Sequence, residues 1–260
     1  MLAFQVFMEN SVSRSIILIL RAVFPLVVSL KNIVIMRPYG DFITNGIFSF
    51  YLTYHIHMLD ASKMTLLVFV LTLAFALPLG MLVAVGRMSK IKIISWIIQA
   101  YLLVMRGTPL ILQLIFFYFA PDIIGIHLTR FQAAIVAFTL NYAAYFAEIY
   151  RGGIESVPLG QREAANVLGL SRTHTFFRIV LPQVVKKVLP PMSNEFMTLV
   201  KDTALAQTIG VAELFQFAQS TSSRTFSILP IFVAGIFYLV MNAVVNLGFN
   251  LAEKKFNYYT

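Results

Sequence analysis

The residues best placed to do chemistry are charged side chains inside or beside long apolar stretches: Arg106, Glu148, Lys201 and Asp202. A charge at membrane depth is costly and ordinarily faces a cavity, a partner or a pathway. Arg106 opens the run Arg106-Gly107-Thr108-Pro109, where glycine and proline would break a helix and free backbone groups. Broken helices are tolerated at that depth where protein or water satisfies the backbone, and they often build transport sites. Arg106, Thr108 and the backbone N–H groups opened at Gly107 suit a carboxylate, and Glu148 or Asp202 suits an ammonium. The alternative is internal pairing, Arg106 with Glu148 or Lys201 with Asp202, which would simply hold a bundle together.

Other chemistries find little support. No GxxxxGK[ST] phosphate loop is present, so ATP binding by the chain itself is not expected. No Ser/His/Asp arrangement is legible, so no catalytic residue is assigned and a membrane-embedded enzyme is disfavoured. His55 and His57 stand two apart without a cysteine, and His127 and His174 fall in loops, so neither a metal nor another cofactor is expected. Cysteine is absent, which excludes disulfides and thiolate sites.

The elements that must position these groups follow from composition. Of 260 residues, 59% are hydrophobic and 12% charged, against roughly half and a quarter in soluble domains. Both departures indicate an all-α polytopic membrane protein. The net charge of +9 then marks loops facing an anionic cytoplasmic leaflet rather than a nucleic-acid surface. A bilayer core needs about 20 apolar residues in a helix. Met64 to Gly86 and Phe226 to Phe249 meet this cleanly, and Phe131 to Ala147 is shorter. Ile93 to Ala120 is broken at Arg106–Pro109, and Val188 to Ala212 is interrupted by Glu195, Lys201 and Asp202. Five spans are therefore expected in residues 61–255, with a tail at 256–260.

Basic residues orient them. Arg87, Lys90 and Lys92 follow the first span, and Arg151, Arg162, Arg172, Arg178, Lys186 and Lys187 lie between the third and fourth. Lys254 and Lys255 follow the fifth, whereas the opposite loops hold Arg130 and Arg224. This alternation puts the carboxyl terminus in the cytoplasm. Residues 1–60 read as an extension with an extra membrane-associated helix near Ile16–Met36 and an aromatic interfacial segment at Phe42–Met58. Arg21 and Lys31 interrupt its apolar stretch, so no cleavable signal peptide is expected.

The longest polar stretch, about residues 151–183, reads as a helix-turn-helix bracket on the cytoplasmic face. Pro158-Leu159-Gly160 is a turn and Gln161-Arg162-Glu163-Ala164-Ala165 opens a helix that Gly169 ends in a left-handed conformation. Ser171 is the expected N-cap of a second short helix running to about Ile179, which Pro182 stops.

This loop resembles that of the permease subunits of ATP-binding-cassette importers. Their pattern is E-A-A, three residues, G, nine residues, I-x-L-P. Here Glu163-Ala164-Ala165, Gly169 and Ile179-Val180-Leu181-Pro182 fill every defined position at that spacing. The polar amino-acid branch is resembled further in Arg106-Gly107-Thr108-Pro109-Leu110, in Ala147-Glu148-Ile149-Tyr150-Arg151-Gly152-Gly153-Ile154 and in Lys201-Asp202-Thr203. The resemblance covers roughly residues 60 to 255. It implies that Glu163, Ala164, Ala165, Gly169 and Leu170 dock on an ATPase subunit. It completes the candidate substrate set as Arg106, Gly107, Thr108, Glu148, Asp202 and Thr203. It also implies two ATPase subunits per complex, an identical or paralogous permease, an extracytoplasmic binding protein, and a polar amino acid as substrate, all at a bacterial inner membrane. An opine or another small solute is the alternative cargo within the family, and an ion-coupled carrier the alternative outside it.

Overall fold

The computed structural model describes the backbone of residues 40–256 and side chains from 57 to 255. The expected helix at 16–36 and the end of the tail lie outside the described residues. The chain divides into two compact units, Met1–His57 and Met58–Thr260, of which the second is described below. Every regular element there is helical.

Helix α1, Gly40–Arg87, contains the first expected span, and its segment His57–Arg87 carries Pro78 without breaking. Helices α2, Lys92–Gly107, and α3, Leu110–Ile123, meet at a bend of 111°. The bend is local stereochemistry. Pro109 pushes the residue before it out of the helical region, and Thr108 is extended at φ −117°, ψ 147°. Pro109 follows at ψ 134° and α3 begins immediately after.

Helix α4, Arg130–Glu155, is the hub of the bundle. A capping box starts it: the Gln132 N–H donates to the Thr129 hydroxyl, and the Thr129 N–H donates to Gln132 Oε1. Its buried face is built from Ala133, Ala134, Ala137, Ala143, Ala144 and Ala147, with Phe138, Tyr142 and Phe146 between them. Lipid supplies no hydrophobic force between helices, so small side chains that let backbones close in are what membrane packing needs. Gly80 shows the effect on α1, because a Cβ there would lie 3.0 Å from the Ala143 carbonyl oxygen. On the other side of α4, a Cβ on Gly153 would collide with Val188.

The helix-turn-helix bracket follows. Helix α5 runs Leu159–Val167 with Pro158 at its cap, so the expected turn is already the first helical turn. Helix α6, Arg172–Thr175, is capped by the Ser171 hydroxyl, which accepts from the His174 N–H. Pro182 does not stop it. The chain widens into a π-helical turn at Phe176–Val180 and continues as α7, Leu181–Asp202, with Pro182 in its first turn. Proline lacks an N–H and crowds the carbonyl four residues back; the wider turn removes that crowding, so the helix passes through.

A 3₁₀ segment, Thr203–Ile209, ends at Gly210 with φ +77°, and helix α8 spans Leu214–Thr225. The buried Glu213 caps α8 by accepting from the Phe215 and Gln216 N–H groups, and it also accepts from the Tyr238 hydroxyl of α9, Leu229–Phe256.

Among the described residues, His57–Arg87, Arg130–Glu155 and Leu229–Lys255 are long and apolar enough to cross a membrane; the bent pair α2–α3 adds a fourth if it counts as one span. The fourth expected span, Val188 to Ala212, does not meet that standard. Its helix, α7, has 22 residues but carries Lys186, Lys187, Glu195, Lys201 and Asp202, and the expected stretch to Ala212 leaves the α-helix at Asp202.

Candidate functional site

Two places gather the sequence-predicted residues: the bracket, and a cavity between the end of α2 and the facing halves of α4 and α7.

In the bracket, Gly169 adopts φ +70° and closes α5 with a pair of bonds, Leu170 N–H to the Ala165 carbonyl and Gly169 N–H to the Asn166 carbonyl. This is a Schellman end, which requires the left-handed conformation that glycine takes without strain. Ala165 is buried beneath the helix, while Glu163 and Ala164 are exposed. Beside them Leu159 is 70% exposed, Val167 88% and Leu168 74%. The short helix thus turns three aliphatic side chains and Ala164 outward from a basic loop.

The cavity holds about 410 Å³ and is lined by Arg106, Tyr145, Glu148, Gly152, Ser156, Lys187 and Glu195, among others. Arg106 and Glu148 come together at 3.6 Å, so the internal pairing is present. It is the weaker of two claims on that carboxylate. Arg151, one turn along α4, binds Glu148 in bidentate fashion, Nη2 at 2.8 Å and Nε at 3.1 Å. Arg106 also lies over the Tyr145 ring, 5.6 Å from its centroid, and its side chain remains 44% exposed. Its guanidinium therefore keeps donors free toward the cavity.

The helix break does not leave its backbone open. The Gln113 amide donates to the Met105 carbonyl at 3.0 Å and to the Thr108 hydroxyl at 2.8 Å, and the Asn141 amide donates to the Met105 carbonyl and to Gln113 Oε1, each at 3.0 Å. The Thr108 hydroxyl in turn donates to the Val104 carbonyl. Gln113 and Asn141 are both buried, so protein satisfies the carbonyls that the bend releases. Neither was singled out from sequence. The available signal was an uncharged amide within each of the two apolar helices that follow the break.

Asp202 and Thr203 lie apart from this cavity. Asp202 accepts from the Tyr142 hydroxyl of α4 at 2.8 Å rather than pairing with Lys201, and Thr203 is buried, donating to the Val200 carbonyl. Gly107 faces open space and is not among the lining residues. Glu195 takes the place expected for Asp202: it lines the cavity seven residues earlier, two turns back on the same helix face. The sequence showed Glu195 only as a charge interrupting a span. Tyr145, three residues before Glu148 on α4, was also missed.

Comparisons with known proteins show the family of the chain. The chain is 38% identical over 192 residues to the L-cystine transport system permease protein TcyB of Bacillus subtilis (strain 168), covering 73% of this chain and 82% of the relative. It is 36% identical over 201 residues to the glutamine transport system permease protein GlnP of Escherichia coli (strain K12), covering 76% and 92%. A crystal structure of an amino acid ABC transporter superposes with a TM-score of 0.74 at 31% identity, covering 85% of this chain and 100% of that one. Residues 76–258 match the family described as binding-protein-dependent transport system inner membrane component. The match takes in the cavity, the bracket and the spans around them, and the chain belongs to that family.

Proposed function

We propose that this chain is the membrane-spanning permease subunit of an ATP-driven importer and that the cavity between α4 and α7 passes polar amino acids. The observation that carries the substrate class is the balance of charge in the cavity wall. Arg106 and Lys187 face Glu148 and Glu195, two cations against two anions. Glu148 is already committed to Arg151, and Lys187 donates to the Ser156 carbonyl. The groups left for a ligand are Arg106 for a carboxylate and Glu195 for an ammonium, with Tyr145 alongside. A zwitterion satisfies both without leaving a net charge in the bundle. Gly107 and Thr108 hold Arg106 at the bend, and Asp202 and Thr203 fix α7 against α4 and shape the wall at second hand.

The bracket is the part that docks an ATPase subunit. Leu159, Val167 and Leu168 supply apolar contact, Ala164 permits close approach, and Glu163, Gly169 and Leu170 set the orientation of the helix end. ATP-driven closure of two ATPases would carry two such brackets, one from this chain and one from an identical or paralogous permease, as rigid bodies. Substrate arrives from an extracytoplasmic binding protein, and hydrolysis takes place on the separate ATPase. The bracket and the carboxyl terminus are cytoplasmic, at a bacterial inner membrane.

Uptake of labelled amino acids into proteoliposomes holding the whole complex tests this reading. Arg106→Leu and Glu195→Gln should each lower uptake by about 10–100-fold, the cost of one charge-assisted contact. Competition by unlabelled amino acids, but not by opines, should be complete. Unchanged uptake in both variants would remove the cavity from the pathway.

A further inference from the structure

The coupling bracket begins where α4 ends, and that junction is built tightly. The Ser156 N–H donates to the Gly152 carbonyl at 3.0 Å, and its hydroxyl donates to the Gly153 carbonyl at 2.7 Å. The next residue, Val157, is buried with Val180, Val184 and Val188. The last carbonyls of a helix have no partner within it and favour a cation, because the helix dipole ends negative there. Lys187 of α7 supplies that cation: its ammonium donates to the Ser156 carbonyl at 2.6 Å, across 31 residues of sequence.

Both ends of this bond are also cavity wall. Ser156 belongs to the α4 side and Lys187 to the α7 side of the space that Arg106, Glu148 and Glu195 line. The bond is therefore a strut that ties the two walls together at the exposed rim of the cavity, anchored on the residue from which the bracket departs. We propose that Lys187 is a positioning residue that converts separation of α4 and α7 into displacement of the bracket. Moving the two walls apart pulls directly on the Ser156 carbonyl, while the buried valine cluster keeps the bracket's other attachment on α7. The inference rests on the reading of the cavity as the substrate path and of the bracket as the ATPase dock.

The test uses the reconstituted complex of permease, ATPase and binding protein. Two quantities are read: the factor by which ligand-loaded binding protein stimulates ATP hydrolysis, and its half-stimulating concentration. Lys187→Met keeps the aliphatic stem and removes the ammonium. It should reduce the stimulation factor by at least ~fivefold, the lower bound of ordinary site-to-site coupling, with the half-stimulating concentration and thermal stability unchanged. Lys187→Arg keeps a cation and should restore stimulation. Full stimulation in Lys187→Met would overturn the proposal. So would a shift in half-stimulating concentration alone, which would make Lys187 a ligand contact, or loss of assembly, which would make it merely structural. An arginine variant that behaves like the methionine variant would count against it equally. Arg106→Leu and Glu195→Gln run alongside: if they leave uptake intact the cavity reading fails, whereas normal uptake defects there beside a fully stimulated Lys187→Met would sink the strut alone.

Discussion

Neighbouring glycines on α4 separate packing from passage. A Cβ on Gly153 would collide with Val188, whereas one on Gly152 would meet open cavity. Gly153→Val should therefore destabilise the bundle by about 1–3 kcal/mol, the cost of overpacking. Gly152→Leu should leave the melting temperature within error and lower uptake by filling the cavity. Paired thermal-shift and uptake measurements distinguish the two, and equal melting losses would contradict the assignment. Gly169 has a conformational reason instead, and Gly169→Ala should weaken the end of α5 by about 1 kcal/mol through its φ of +70°. At this scale the sequence was legible where a motif fixed a position, as for Gly169, Ser171 and Arg106. It was not legible where a partner decided the role. Nothing in the letters distinguishes Asp202, which receives the Tyr142 hydroxyl, from Glu195, which faces the cavity.

Among the elements, the α2–α3 bend carries the clearest consequence. Proline chemistry at Thr108-Pro109 made the break predictable, but the freed carbonyls of the 111° bend are satisfied by Gln113 of α3 and by Asn141 from α4. Asn141→Leu would leave the buried Gln113 Oε1 without its donor and the Met105 carbonyl with the Gln113 amide alone. Its expected cost is about 1–3 kcal/mol, read from thermal unfolding of the purified protein. A stability equal to the parent would show that the bend holds without it. Helix α7 was the element least well read. Its charges count against a span on hydropathy, and Pro182 counts against helix continuity; the π turn at Phe176–Val180 accommodates the proline, and part of the charge faces the cavity. The cavity is built with residues of other helices, so a reading along the chain misses the second compensation.

For the whole molecule, burial is uneven in a way that suits a bilayer. The apolar window of α4 is 61% buried, against 22% for that of α1 and 6% for that of α9. Alanines on α4 mark the hub, and the apolar faces of the other two are left for lipid or a second permease. Helix α4 rises about 39 Å over its 26 residues, enough to place the loop at residues 124–129 and the bracket on opposite faces. Because the chain contains no cysteine, single substitutions report sidedness without background. His127→Cys should react with a membrane-impermeant maleimide in intact spheroplasts, and His174→Cys only in inverted vesicles. The reverse pattern would invert the topology. The measurement that bears most directly on the function is purification of the tagged chain in mild detergent, with its partners and ATPase activity determined. A near-stoichiometric cassette ATPase, retained by the parent and lost with Glu163→Lys or Gly169→Asp, is the predicted result. Recovery of the chain without an ATPase, together with uptake that persists after ATP depletion, would contradict it and favour an ion-coupled carrier.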